Sequence, residues 1–268
     1  MRTDSMDTKN KLIIVEKKKK IGIVILNRPE ALNALNTPML LEFRDSLSEL
    51  ERDGNVRAVV IRGDRNFCAG ADIRELKDMN PKDAEAFSRL GHDICNRISG
   101  LGKPVIAAVS GYALGGGCEI SLACDIRIAG ENAQFGQPEI NIGIIPGWGA
   151  TQRLPGIIGI GKANEIIMMG KIILAREALS IGLANSVTKD EELIEKAEEA
   201  AGMLADKSQA AIKKIKSLIN MRTGIDNGFE FEIGLFSECF VTEDYKEGIK
   251  AILEKKKPAF KDQALKEL

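Results

Sequence analysis

The sequence predicts an α/β layered fold from three observations. Short β-branched runs alternate with amphipathic helical stretches, small-residue turns sit where strand gives way to helix, and the last third is mostly helical. The chain has 268 residues, 44% of them hydrophobic, enough to bury a substantial core. No Pro, Gly or Ser-rich linker divides it and no internal sequence repeat is visible. One unit over residues 1–268 is therefore expected, with a β-rich core over 1–188 and a helical extension over 189–268.

The elements follow in order. Leu12 to Val15 and Ile21 to Leu26 are β-branched runs flanking the polar turn Lys17 to Lys20, which reads as a solvated hairpin. Asn27-Arg28-Pro29-Glu30 breaks the strand. Thr37-Pro38, followed by Leu40, Leu41, Phe43, Leu47 and Leu50, reads as a helix with proline at its start. Ala58 to Ile61 is a short buried strand. A helix from about Pro81 to Ser99, the strand Val105 to Val109, a glycine-rich turn Gly111 to Gly117, a helix into Leu122 and the strand Asp125 to Ile128 repeat the pattern. Beyond Lys189, Leu193, Ala197, Ala200, Ala201 and Leu204 share one helical face, and Ile212, Ile215 and Ile219 share another.

Composition narrows the function. Thirty-eight basic against 39 acidic residues give no global pull toward nucleic acid or an acidic membrane surface, so a charged ligand must be held locally. Cys68, Cys95, Cys118, Cys124 and Cys239 show no C-x-x-C spacing; reduced thiols in a cytoplasmic protein are expected, with neither a disulfide framework nor a metal site. No apolar run approaches the roughly 18 residues of a membrane span. Met1 to Asn10 lacks the apolar stretch of a secretion signal, and Met6 is a second candidate start.

Three segments carry candidate chemistry. Phe67-Cys68-Ala69-Gly70-Ala71-Asp72-Ile73 follows a strand and precedes a helix expected over Ile73 to Asp78. Its small residues allow close backbone approach, and Asp72 can cap the helix. Gly111-Tyr112-Ala113-Leu114-Gly115-Gly116-Gly117-Cys118-Glu119 is another glycine turn at a helix start, where freed amides and the helix dipole favour an anionic atom. Gln137-Pro138-Glu139 places a carboxylate in a loop near Ile145-Pro146-Gly147-Trp148-Gly149, where it can act as acid or base. Each segment alone is also an ordinary turn, capping acid or loop glutamate.

Together they resemble the crotonase or enoyl-CoA hydratase superfamily. The resemblance runs from about Leu12 to Asp262 and includes Leu26-Asn27-Arg28-Pro29, Ala31-Leu32-Asn33-Ala34-Leu35 and the closing Lys255-Lys256-Lys257-Pro258-Ala259-Phe260. It implies a crotonase (ClpP-like) fold: repeated β-β-α units form a spiral core, and a helical C-terminal region assembles trimers, often paired into hexamers. It implies that the N–H groups of Ala71 and Gly116 bind the thioester oxygen and that Glu119 and Glu139 hold a water, Glu119 as chief base and Glu139 as chief proton donor. It implies an acyl-CoA substrate and no separate cofactor, with Ala69 C=O toward the adenine and Arg28, Ala31 and Leu32 along the nucleotide. Asp72, Ile73, Pro146, Gly147, Trp148 and Phe260 are implied around the substrate, and Lys257 and Lys261 near the phosphates. Two residues depart from the family pattern: Glu30 stands where many relatives are basic, and Trp148 where many are small. A bulky ring there is expected to shorten the acyl pocket toward four-carbon chains.

Other readings are weaker. Gly156 to Ala163 is nearly a phosphate loop, but Ala163 replaces the Ser or Thr that reaches magnesium. His92, the one histidine, sits in a charged helical stretch and reads as a surface residue, and no G-x-S-x-G elbow accompanies it. An enoyl-CoA isomerase of the same superfamily needs one carboxylate near Glu139, so retention of both acids argues for the hydratase. A catalytically silent CoA-binding or assembly protein is the alternative outside enzymes. Phe229, Phe231, Phe236 and Phe240 are expected in a helical stretch, buried against a neighbour or within the chain's own core.

Overall fold

Residues 21–26 read Ile-Gly-Ile-Val-Ile-Leu, and every one of them is buried. A strand apolar on both faces must be covered on both faces. The computed structural model, which describes residues 11–221, 233–234, 236–256 and 258, has that architecture. Strand β1 (Ile13–Lys18) pairs antiparallel with β2 (Ile21–Leu26). β3 (Ala58–Arg62), β4 (Val105–Val109), β6 (Ile126–Gly130) and β9 (Ser186–Thr188) then add in parallel, in the order β1-β2-β3-β4-β6-β9. The hairpin turn is tighter than the lysine run predicts. β1 continues through Lys18, and Lys19 takes the left-handed conformation that closes the turn, at φ 56°.

Alternation divides the sheet between two cores. Val24, Leu26, Val59, Ile61, Val105, Ala107 and Val109 face the larger one with α1 (Thr37–Arg52) and α3 (Pro81–Gly100). Ile21, Ile23, Ile25, Val60, Ile106 and Ala108 face the other, where α8 (Leu193–Ala205) contributes Leu193, Ala197, Ala201 and Ala205. This is the period-two pattern of a strand meeting the three-to-four-residue pattern of a helix. Asn36 accepts the Met39 N–H to cap α1, one residue before the predicted start, and Pro38 sits in the first turn, where its missing donor costs nothing.

A second sheet carries the site. β5 (Tyr112–Leu114) lies inside the glycine-rich turn and pairs in parallel with β7 (Gln134–Gly136), which pairs antiparallel with β8 (Ile172–Leu174). Helix α2 (Ile73–Leu76) is shorter than expected and is capped by Asp72, whose side chain accepts the Arg74 N–H. α4 (Gly116–Ala123), α5 (Ala150–Ile158), α6 (Ile160–Met168) and α7 (Ala175–Ser180) complete the core. Gly159 separates α5 from α6, so the near-phosphate loop is a helix-to-helix corner. α9 (Gln209–Met221) and the helix Glu243–Leu253 follow α8. Among the described residues no helix is long and apolar enough to cross a membrane.

Candidate functional site

The turn after β3 is fixed from two sides. The Cys68 N–H donates to Tyr112 O at 2.7 Å, and Leu114 N–H donates to Cys68 O at 3.0 Å, zipping the turn to β5. Opposite, Ala69 N–H donates to Leu32 O, Leu35 N–H to Gly70 O and Asp72 N–H to Leu35 O, all within 3.0 Å. Leu32 and Asn33 both take left-handed conformations, at φ 52° and 57°, uncommon outside glycine. The Asn33 side chain holds them, accepting Arg28 N–H and donating to Asn66 O. Arg28 also donates to Asp72 at 2.6 Å, so these two charged residues lock the two segments together.

Within this frame the N–H groups of Ala71 and Gly116 have no acceptor among the described residues. Gly116 begins α4, where the first N–H groups have no partner within the helix. Gly70, at φ +106°, brings the two loops together: a Cβ there would lie 2.9 Å from Leu114 O and 3.6 Å from Gly116 N. Only a residue without a side chain fits both demands.

All eight residues of α4 are buried, Glu119 among them. A buried carboxylate needs donors. Glu119 Oε1 accepts the peptide N–H of Trp148 at 2.8 Å and of Ala150 at 2.9 Å. Ala150 is the first residue of α5, so Glu119 sits in the first turn of one helix and at the N-terminus of another, and both dipoles favour negative charge there. Glu139, half-buried, lies in the 3-10 turn Pro138–Ile142. With its amide turned so that the nitrogen faces the carboxylate, Gln137 donates to both Glu139 oxygens at 3.2 Å. The carboxylate rests over Gly115, whose Cβ would approach Glu139 Oε1 to 2.7 Å.

Both acids line one cavity of about 250 Å³ with Ala69, Ala71, Ile73, Gly116, Gly147 and Trp148. Arg28, Ala31, Leu32, Asp72 and Pro146 are not in its wall; the first four lie beside it, in the hydrogen-bonded segments around the Ala69 turn, and Pro146, the neighbour of Gly147 in the chain, is buried. Lys257, Phe260 and Lys261 lie outside the described residues, as do Phe229 and Phe231. The rest of the wall is apolar, from Leu76, Phe87, Ile142, Ile144, Phe236 and Ile252, with Asn141. Phe236 and Phe240 are buried within this chain and stack on each other, with Tyr245 against Phe240.

Sequence reasoning misplaced His92. It is 3% exposed, on the face of α3 that also carries Ser88, Gly91 and Cys95. Its charged neighbours Arg89 and Asp93 point elsewhere around the helix, which a count by threes and fours separates and a composition window does not. The cysteine thiols beside the site are buried. Burial pushes Cys68 up to about 12, and burial with the nearby Glu119 and Glu139 charges does the same for Cys118. Among the described residues no cluster of three or more His, Cys, Asp or Glu side chains is arranged to hold a metal.

Comparison with known proteins agrees with this architecture. A family model described as enoyl-CoA hydratase/isomerase matches residues 16–263. A short-chain-enoyl-CoA hydratase of Clostridium acetobutylicum is 47% identical over 249 residues, covering 91% of this chain and 95% of its own. A crotonyl-CoA hydratase of Syntrophomonas wolfei is 44% identical over 252 residues, covering 92% and 97%. Among solved structures, an enoyl-CoA hydratase from Mycobacterium avium subsp. paratuberculosis superposes with a TM-score of 0.85 at 29% identity, covering 94% of this chain and 99% of that one. One from Bacillus anthracis gives 0.77 at 36%, covering 94% and 100%. The fold is the crotonase fold. Within it, the chain belongs to the enoyl-CoA hydratase/isomerase family.

Proposed function

We propose that this chain adds water reversibly and with syn geometry to a short-chain trans-2-enoyl-CoA, giving the 3-hydroxyacyl-CoA, as in crotonyl-CoA to 3-hydroxybutyryl-CoA. The observation that carries the reading is the convergence of Glu119 and Glu139 on one small, largely apolar cavity beside the open N–H groups of Ala71 and Gly116. The names of the Clostridium and Syntrophomonas relatives support the same short-chain hydration, a reaction of fatty acid metabolism.

In this mechanism the thioester oxygen lies between Ala71 N–H and Gly116 N–H. Attack at C3 moves charge onto that oxygen, and donors fixed in advance by the zipped loops stabilise it; one such donor is typically worth about 3 kcal/mol. Glu119, its carboxylate held by two peptide N–H groups, takes the proton from the attacking water, and Glu139 delivers a proton to C2 on the same face. The two acids share one water. No covalent intermediate is formed and no cofactor takes part, since coenzyme A belongs to the substrate. The nucleotide leaves along the Ala69 turn, Ala69 C=O toward the adenine and Arg28 to Leu32 alongside, with Asp72 fixing Arg28. The family resemblance assigns Lys257 and Lys261 to the phosphates and Phe260 to the substrate in the same proposal.

Assembly as a trimer or a dimer of trimers through residues 189–268 belongs to the same proposal. α9 supports it, exposing Ile215, Leu218 and Ile219 on one side. A cytoplasmic setting fits five cysteines that form no disulfide with one another. The test is loss of the ultraviolet absorbance of crotonyl-CoA in isotopically labelled water, with mass spectrometry of the product. Label at C3 of 3-hydroxybutyryl-CoA is expected. Double-bond migration without label identifies an isomerase, and no change identifies a silent CoA-binding protein.

A further inference from the structure

The Trp148 indole is 2% exposed, yet it forms part of the cavity wall. It is seated between two glycines on different helices. A Cβ at Gly116 would fall 2.2 Å from Trp148 Cζ3, and a Cβ at Gly91 would fall 2.2 Å from both Cε2 and Nε1. The benzene edge therefore rests against Gly116, while the pyrrole edge is received into a notch in α3. Phe87, one turn before Gly91, packs on the ring with centroids 5.4 Å apart and planes at 54°. Gly91 itself does not touch the cavity. A glycine inside a helix costs stability relative to alanine, and here its absent side chain is the space that the indole occupies.

Because the indole abuts Gly116, it stands within the first few carbons beyond a thioester carbonyl held at that N–H. The space is small. An apolar cavity of about 150 Å³ takes one benzene and a water occupies about 30 Å³ of liquid. A total of about 250 Å³ therefore holds the reacting atoms and a short acyl tail, with little over.

We infer that Gly91, outside the cavity, sets the length of acyl chain accepted by holding the Trp148 indole at a fixed depth. This rests on the hydratase reading for its substrate, while the geometry of the notch is independent of turnover. Filling the notch drives the ring away from α3. Gly116 blocks it on the far side, so it moves into the cavity. Removing the ring instead opens the wall.

The experiment measures affinities of the unreactive butyryl-CoA and hexanoyl-CoA by titration calorimetry, and crotonyl-CoA hydration in parallel. The proteins are the wild type, Gly91→Ala, Trp148→Leu and the double variant. Trp148→Leu is expected to raise the hexanoyl-to-butyryl affinity ratio about tenfold or more, the scale of a methylene or two in an apolar pocket. Gly91→Ala is expected to lower butyryl-CoA affinity about tenfold alone, but less than about twofold in the Trp148→Leu background, where no ring remains to be displaced. A ratio unchanged by Trp148→Leu, or an equal Gly91→Ala effect in both backgrounds, overturns the inference. Should Gly91→Ala not fold alone, its rescue in the Trp148→Leu background supports the inference, because the ring is then what the Cβ displaces, and failure to fold in both backgrounds overturns it. A wild type that shows the affinity pattern but does not hydrate crotonyl-CoA contradicts the proposed function and leaves the depth inference standing.

Discussion

Glu119 Oε1 accepts the Trp148 N–H at 2.8 Å, and the carbonyl at the other end of that same peptide unit, Gly147 O, accepts the Ser88 hydroxyl at 2.7 Å. A peptide is planar, so anchoring its oxygen aims its hydrogen. The next carbonyl, Trp148 O, is held by buried Arg153, which also reaches Asn96. Helix α3 thus orients the carboxylate of α4 through a loop that neither belongs to.

Replacing Ser88 releases that peptide. Ser88→Ala is expected to destabilise the fold by about 1 to 3 kcal/mol, the cost of a buried carbonyl left without its donor. It is also expected to lower kcat on crotonyl-CoA about tenfold, with KM little changed, because the acid is misaimed while the binding wall remains. Urea denaturation and steady-state kinetics check the two parts.

Gly70 takes a backbone conformation that side chains resist, and a Cβ there would press on Leu114 O. Gly70→Ala is expected to cost about 1 to 3 kcal/mol in strain. By spreading Ala71 from Gly116 it is expected to reduce kcat about a hundredfold, the effect of losing one preformed donor. Gly54→Ala, at a position with open space around the Cβ, serves as the control that moves neither quantity.

The thiols near the site are expected to survive alkylation. Cys68 and Cys118, held near 12 by burial, stay unmodified by iodoacetamide in native protein at pH about 8, where an unperturbed thiol would be partly ionised. Half-buried Cys239 reacts before them. Peptide mapping by mass spectrometry after native and denatured labelling reads the difference.

Tyr245 closes the C-terminal helix onto the cavity wall. Its hydroxyl donates to Leu76 O, its ring centroid lies 4.3 Å from that of Phe240, and burial raises its pKa so that it stays a donor. Tyr245→Phe is expected to lower stability by about 1 to 3 kcal/mol in urea unfolding while removing no aromatic packing.

What could be read in the sequence follows from where each signal lies. Val105 to Val109 is five apolar residues in a row, which marks the strand to the residue, and Asp72 announces its own helix cap. β5 was invisible, since three residues inside a glycine run carry no periodicity and their partner strand begins at Gln134. Glu119 was identified as an acid at a helix start, but its anchors are peptide N–H groups of Trp148 and Ala150, which no side-chain letter encodes. Gly91 gave no signal at all, because a notch has meaning only against the ring that enters it. His92 was hidden by charged neighbours that occupy other sides of the same helix.

The shared-water mechanism needs both acids, and the decisive measurement is crotonyl-CoA hydration by Glu119→Gln, Glu139→Gln and the double variant. Each single change keeps an oxygen to accept the local donors, so the fold is expected to persist by circular dichroism. Each is expected to lower kcat by about a hundredfold to ten-thousandfold, and the double variant to be little worse than the poorer single, as for groups acting on one water. Either single variant retaining activity within about twofold of the wild type would contradict the shared-water mechanism.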